Sequence, residues 1–252
     1  CSYITVKNTI LTGHKTYSTI GSAGKPVTMG TYDLSANRAL NVSFVNCSQT
    51  NDINDRMYWG ILGSNYCKNL LYDNCTLSRF DAHMGVANAT IRNSTLGHMG
   101  INAIGSGVFT VENSTIRGRS LINLRSDYGS TWRGEIIIRN CIFVPAGGLP
   151  TSASLINGSY SGQHDFGYTC YMPERITIEG LHIDDSSHPE DYQGPAIFSN
   201  INPQMTDDSY QEKFPYVKTR EVILSNINTT SGKELRLSDN QFMFKDVKVV
   251  TD

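Results

Sequence analysis

One phrase recurs along the chain and restricts its fold more than any other feature. Alternating β-branched or apolar residues run into an Asn, then a small residue, then another apolar one. The copies are Ile4-Thr5-Val6-Lys7-Asn8, Val42-Ser43-Phe44-Val45-Asn46-Cys47, Leu70-Leu71-Tyr72-Asp73-Asn74-Cys75, Ala89-Thr90-Ile91-Arg92-Asn93-Ser94, Phe109-Thr110-Val111-Glu112-Asn113-Ser114 and Ile136-Ile137-Ile138-Arg139-Asn140-Cys141. Ile176-Thr177-Ile178-Glu179-Gly180 and Val222-Ile223-Leu224-Ser225-Asn226 complete the set. Alternation at period two is the mark of a strand. Asn or Gly at one fixed point marks a bend at positive φ, which these residues tolerate best. The Asn-to-Asn intervals are 38, 28, 19, 20 and 27 residues over the first six copies. A minimal coil takes roughly 20 residues, so the longer intervals hold loops or an extra coil. The reading is an all-β, single-stranded right-handed parallel β-helix with loop insertions. Its corner asparagines would stack ~4.8 Å apart, hydrogen-bond to one another and satisfy buried polar groups. A sandwich of short strands does not explain one residue type returning at one phase.

The 252 residues suit a single unit. With 39% hydrophobic and 17% charged residues, the chain is neither disordered nor a coiled coil. A net charge of -2 without a basic run argues against a nucleic-acid partner. No run of about 18 apolar residues is present to span a membrane. The strand pattern begins almost at Cys1, so residues 1–252 are expected to be one domain of a longer chain.

Six cysteines occur without a CxxC pair, which disfavours zinc. Cys47, Cys75 and Cys141 follow the corner Asn where Ser94 and Ser114 stand in other copies, so a buried stack of small residues is expected. The Asn-x-Ser/Thr triplets at Asn46, Asn74, Asn93 and Asn113 are by-products of the repeat. Segments of about 144–173 and 184–219, rich in Gly, Pro, Ser, Tyr and Asp, read as insertions that leave the repeat and return to it.

On a β-helix, functional side chains stack at one phase of adjacent coils. Asp81 and His83 are two apart and would project from one side of a strand, with Phe80 and Ala82 facing the core. Successive coils would bring Asn102, Asn123 and Arg125 to the same wall, with His98, Arg119, Asp127 and Tyr128 nearby. Arg56 and Tyr58 would join from the preceding coil, and Trp132 would offer either packing or a sugar-stacking platform. Arg125 and Asp127 are equally placed to pair across a turn.

Phe80-Asp81-Ala82-His83 resembles the Asp-Pro-His motif of mannuronan C5-epimerases, parallel β-helices that act on alginate. Arg119 falls where that family has a catalytic Arg, whereas Ser78 stands where it has a catalytic Tyr. A second resemblance covers more of the chain. Thr12-Gly13-His14-Lys15-Thr16-Tyr17, Leu77 to Gly85, Asn123 to Trp132 and Asp165 to Pro173 are similar to the tailspikes, or preneck appendages, of short-tailed phages, within the pectin-lyase-like superfamily. That resemblance implies a homotrimeric protein on the virion surface, or otherwise extracellular, that binds and degrades a bacterial surface glycan or teichoic acid; no cofactor is expected.

Three chemistries remain open. A lyase or epimerase would use His83 as base, Asp81 to tune it, and Arg119 or Arg125 to stabilise enolate-like charge. A hydrolase would pair Asp81 with Asp127. A teichoic-acid phosphodiesterase would set His83 and His98 around a phosphate held by Arg. A metal held by Asp81, His83 and His98 would lack a full ligand set. A non-catalytic receptor-binding spike and a cellular polysaccharide lyase or C5-epimerase are the alternatives in function.

Overall fold

The computed structural model describes residues 1–12, 18–20, 26–28, 34–55, 62–98, 100–126, 129–146, 153–159, 169–199 and 216–252; for 18–20, 26–28 and His83 only the backbone is described. The chain winds as a right-handed parallel β-helix whose strands form three faces. The first face stacks Ser2–Lys7, Leu40–Val45, Cys67–Asp73, the latter parts of Phe80–Arg92 and Ile101–Glu112, the opening parts of Trp132–Pro145, Arg175–Ile183 and Glu221–Thr229, and Lys248–Thr251. Its inward residues stay in register from coil to coil, as in the column Val42, Leu70, Ala89, Phe109, Ile136, Ile176, Val222. Every member of that column is buried, which is what the period-two pattern requires. Ser2–Lys7 pairs directly with Leu40–Val45, so no further rung of the first face stands between them.

The corner after the first face lies where the repeat puts it. Asn8, Asn46, Asn74, Asn93, Asn113, Asn140 and Asn226 have φ between 48° and 55°, and Gly180 has φ 70°. A β-branched residue would be strained at such an angle, whereas Asn and Gly adopt it at low cost. At Gly180 space adds a second reason. A Cβ there would lie 2.7 Å from the Asn140 Oδ1 on the coil below.

The corner amides do not form a buried ladder. Asn46 Nδ2 donates to Asn8 Oδ1 at 3.0 Å and Asn74 Nδ2 to Asn46 Oδ1 at 2.7 Å, and these side chains are exposed. Asn93 instead donates to Asp73 Oδ1 at 2.9 Å, since a carboxylate is the stronger acceptor. A second positive-φ column stands five residues earlier, at Asn41, Asn69 and Asn88, linked amide to amide at 2.8 and 3.1 Å.

Behind the corner lies the expected small-residue stack. Cys47, Cys75, Ser94, Ser114 and Cys141 are buried, and Ser94 and Ser114 Oγ accept the amide protons of Cys75 and Ser94 at 3.0 and 3.1 Å. None of the six cysteines is disulfide-bonded; Cys67 is also buried, Cys170 is half-buried and Cys1 is exposed. Burial pushes the Cys75 and Cys141 thiols up to about 11. Phe44, Tyr72, Phe80, Phe109 and Trp132 run up the interior with successive ring centroids 5.2, 4.8, 5.4 and 5.1 Å apart.

The second face is short, with Leu77, Leu96, Ile116, Phe143 and Ile183 in one buried column. The third face contains Leu34–Asn37, Leu62–Asn65, the opening parts of Phe80–Arg92 and Ile101–Glu112, Ser120–Leu124, Ala153–Asn157 and Pro195–Phe198. The last two strands fall inside the segments expected to be insertions. Each adds a rung to the solenoid before the chain resumes the first face. They escape the repeat because they belong to a face that has no Asn corner of its own.

Candidate functional site: a polar groove on the third face

Third-face strands alternate like the others. Phe80, Ile101, Ile122 and Ile156 face inward in register, and the next residue of each strand faces outward. Those outward residues are Asp81, Asn102, Asn123 and Asn157. Asn102 Nδ2 donates to Asp81 Oδ1, Asn123 Nδ2 to Asn102 Oδ1 and Asn157 Nδ2 to Asn123 Oδ1, each at 2.8 Å. All the amides thus point the same way and the chain of bonds ends on a charged acceptor, an arrangement in which each bond polarises the next. Asn102, Asn123 and Asn157 line a groove of about 500 Å³ together with Arg79, Arg125, Ser126 and Ser159. Its volume lies within the range of ligand clefts.

The wall is built from below. Asp81 is 0% exposed and ion-paired with the buried Arg79. Its backbone carbonyl accepts from Ser64 Oγ at 3.1 Å, and Ser64 Oγ lies 3.1 Å from Tyr72 Oη in the core. Burial raises the Tyr72 phenol well above its ordinary pKa, and the nearby Asp81 charge adds to the effect. Behind the lining residues Leu124 and Ser159, Ser130 Oγ donates to Leu124 O at 2.9 Å and accepts from Ser159 N at 2.7 Å, which ties two successive coils together.

Several of the expected residues meet here. Asp81, Asn102 and Asn123 share one file, as the spacing implies, and the half-buried Arg125 lines the groove beside it. Asp81 departs from the expectation of an exposed catalytic group. Its carboxylate is held by Arg79 and Asn102 beneath the surface. Trp132 is 0% exposed and packs against Phe109, with Nε1 donating to Gly107 O and Glu135 O at 3.2 Å. It serves the core and offers no platform to a sugar. Arg119 is exposed and is not part of the groove lining. His98 is half-buried at the corner before the third face, its amide bonded to Ile53 O at 3.2 Å. The neighbouring Gly97 permits that approach, since a Cβ there would lie 2.0 Å from the same oxygen. Ala82, Ala103 and Leu124 are in register, and His83 and Arg125 directly follow the first and last of them in the chain. Arg56, Tyr58, Asp127, Tyr128 and the His83 side chain lie outside the described residues.

Arg79 and Asn157 are among the lining residues that the sequence does not single out. Arg79 stands beside the recognised Asp81 motif. Asn157 closes the tetrapeptide Ser154-Leu155-Ile156-Asn157, which repeats Ser120-Leu121-Ile122-Asn123 letter for letter and pairs with it in register. That identity is the signal that marks its place.

Fold and groove together define a class: a parallel β-helix presenting an axial, polar, arginine-walled cleft. No protein-family model matches the chain. Over 166 residues, 52% of the chain, it is 28% identical to a capsule KL64-specific depolymerase of Klebsiella phage P510. The match spans 16% of that protein's length.

Proposed function

We propose that the third-face groove is a glycan cleft and that the protein is a virion-surface depolymerase acting on a bacterial capsular polysaccharide. The observation that carries this reading is the file Asn102–Asn123–Asn157, a row of carboxamides on the floor of a cleft large enough for sugar residues. Carboxamides donate and accept at once, and so match hydroxyl groups repeated along a chain. The similarity to a capsule-specific depolymerase supports the same reading.

The reaction proposed is of the lyase type. Arg125 lines the groove, and the described carboxylate, Asp81, is buried and ion-paired with Arg79. Such a set stabilises negative charge developing beside a sugar carboxylate and does not resemble the paired carboxylates of a glycosidase. His83, the residue after Ala82, is proposed as the base that takes the proton beside the sugar carboxylate and returns it to the glycosidic oxygen as the bond to that oxygen breaks, with Arg125 as the stabilising cation.

Incubation with purified KL64 capsular polysaccharide, followed by product sizing and ultraviolet absorbance, tests this. Shortened chains with a new unsaturated-product absorbance are expected, and His83→Ala should lose at least about a hundredfold in rate. Binding without shortening would instead identify a receptor-binding spike. Shortening without new absorbance would exclude elimination, and action on wall teichoic acid alone would exclude the capsule. The assembly proposed is a homotrimer closed by heterologous contacts. Analytical ultracentrifugation should give three times the 27.9 kDa chain mass, and a monomer at high concentration would contradict it.

A further inference from the structure

The carboxamide file in the groove has a direction, and Asp81 sets it. A carboxylate offers acceptors only, whereas a carboxamide has an amino group on one side and a carbonyl on the other. One oxygen of Asp81 is ion-paired with Arg79, and the other accepts from Asn102 Nδ2 at 2.8 Å. Asn102 therefore turns its carbonyl away from Asp81, up the axis. Asn123 meets that carbonyl with its own amino group, and Asn157 meets the carbonyl of Asn123 in the same way. Amide dipoles aligned like this gather partial negative charge at the far end, on Asn157 Oδ1.

That end is open. On the first face the column Asn41, Asn69, Asn88 runs in the same direction, and the Val108 amide closes it by donating to Asn88 Oδ1 at 2.9 Å. In the groove the residue one rung above Asn157 is Ser199. It is placed there by the pairing of Ile156 with Phe198 and by Ser199 N, which donates to Ile156 O at 2.9 Å. The Ser199 Oγ is buried with no hydrogen-bond partner among the described residues, so this short side chain does not close the file. No group among the described residues donates to Asn157 Oδ1. The corner file that ends on Asn74 is open as well, but that side chain is exposed and water serves it. Asn157 is half-buried and lines the groove, where an occupant can supply the missing donor.

We propose that Asn157 is a specificity-determining subsite of the cleft, whose carbonyl takes the hydroxyl hydrogen of a neutral sugar and turns away a carboxylate. The proposal rests on the reading of the groove as a glycan cleft. An oxygen that is already the negative end of a polarised chain is a strong acceptor for a hydroxyl and a poor neighbour for an anion. Because the two ends of the file differ, a repeat with one neutral and one acidic sugar lies along it in one direction only.

The test is a calorimetric titration with an oligosaccharide prepared from KL64 capsule. Salt at about 0.5 M screens added charge from the acid groups of the ligand. Asn157→Ala removes the acceptor and should weaken binding roughly three- to tenfold. Asn157→Asp keeps an acceptor and loses only the amino group that serves the file, so it should bind within about twofold of wild type. A purely structural role predicts the reverse order. Asp loses the same bond to Asn123 as Ala does and sets a charge against that carbonyl, so it would do at least as badly. Asp as weak as Ala, or Ala equal to wild type, overturns the subsite. If wild type still shortens the capsule, that result leaves the depolymerase standing. Loss in Ala with retention in Asp, and no shortening by wild type, keeps the subsite and removes the depolymerase. Wild type that neither binds nor shortens the capsule removes both.

Discussion

Asp81 holds its charge at 0% exposure, and its partners explain why it can. Arg79 neutralises it and Asn102 hydrogen-bonds it at 2.8 Å. Removing one member of a buried pair strands the other, so Asp81→Asn should cost about 3–5 kcal/mol in urea unfolding. Pairing it with Arg79→Met should recover much of that loss. If the single substitution cost nothing, the carboxylate would not be the anchor of the groove. Asp81 is also where sequence reasoning reached furthest and then stopped. Its place on the file with Asn102 and Asn123 follows from counting residues between corners. Its burial does not, because Arg79 precedes it by two positions and nothing in the alternation shows that the two side chains meet. Trp132 teaches the same point, since an aromatic residue after a turn suits either a sugar or a core.

The corners and the interior stack belong to the scale of the repeating element. The φ of 52° at Asn93 predicts that Asn93→Ala lowers stability by about 1–2 kcal/mol while Asn93→Gly stays near neutral. Thermal unfolding of the pair checks this, and equal behaviour of Ala and Gly would count against a conformational role. The buried thiols give a pH dependence. Cys75 and Cys141 titrate near 11 when folded, against an ordinary value of 9.0. A folded pKa raised above the unfolded one contributes stability that is complete below pH 9 and is lost as pH climbs toward 11. Urea midpoints should therefore fall between pH 9 and pH 11, and fall less in a Cys75→Ser, Cys141→Ser double variant. Ser94 and Ser114 already show that a hydroxyl fits this column. An unchanged slope in the double variant would assign the alkaline loss to other groups. The first-face corner was legible because Asn recurs after each strand, and the second column shows how the same signal can be overlooked. Asn41, Asn69 and Asn88 each precede a corner Asn by five residues, a spacing hidden among the alternating apolar positions.

At the scale of the whole molecule, the solenoid turns distant residues into neighbours. Residues 81, 102, 123 and 157 lie 21, 21 and 34 positions apart, yet form one continuous file. The stacked coils and their axial register could be read from the repeat. The third face could not be read in full, because its later strands, Ala153–Asn157 and Pro195–Phe198, are short and lie within Gly- and Pro-rich stretches. The copied Ser-Leu-Ile-Asn tetrapeptide is the exception, and it places Asn157 on the file.

The most direct measurement is a crystal structure of the protein with an oligosaccharide prepared from KL64 capsule. Ligand density running parallel to the solenoid axis is predicted, with sugar hydroxyls on the amides of Asn102, Asn123 and Asn157 and an acid group near Arg125. Ligand bound instead across the first face, with the third-face groove empty at saturating concentration, would contradict the account.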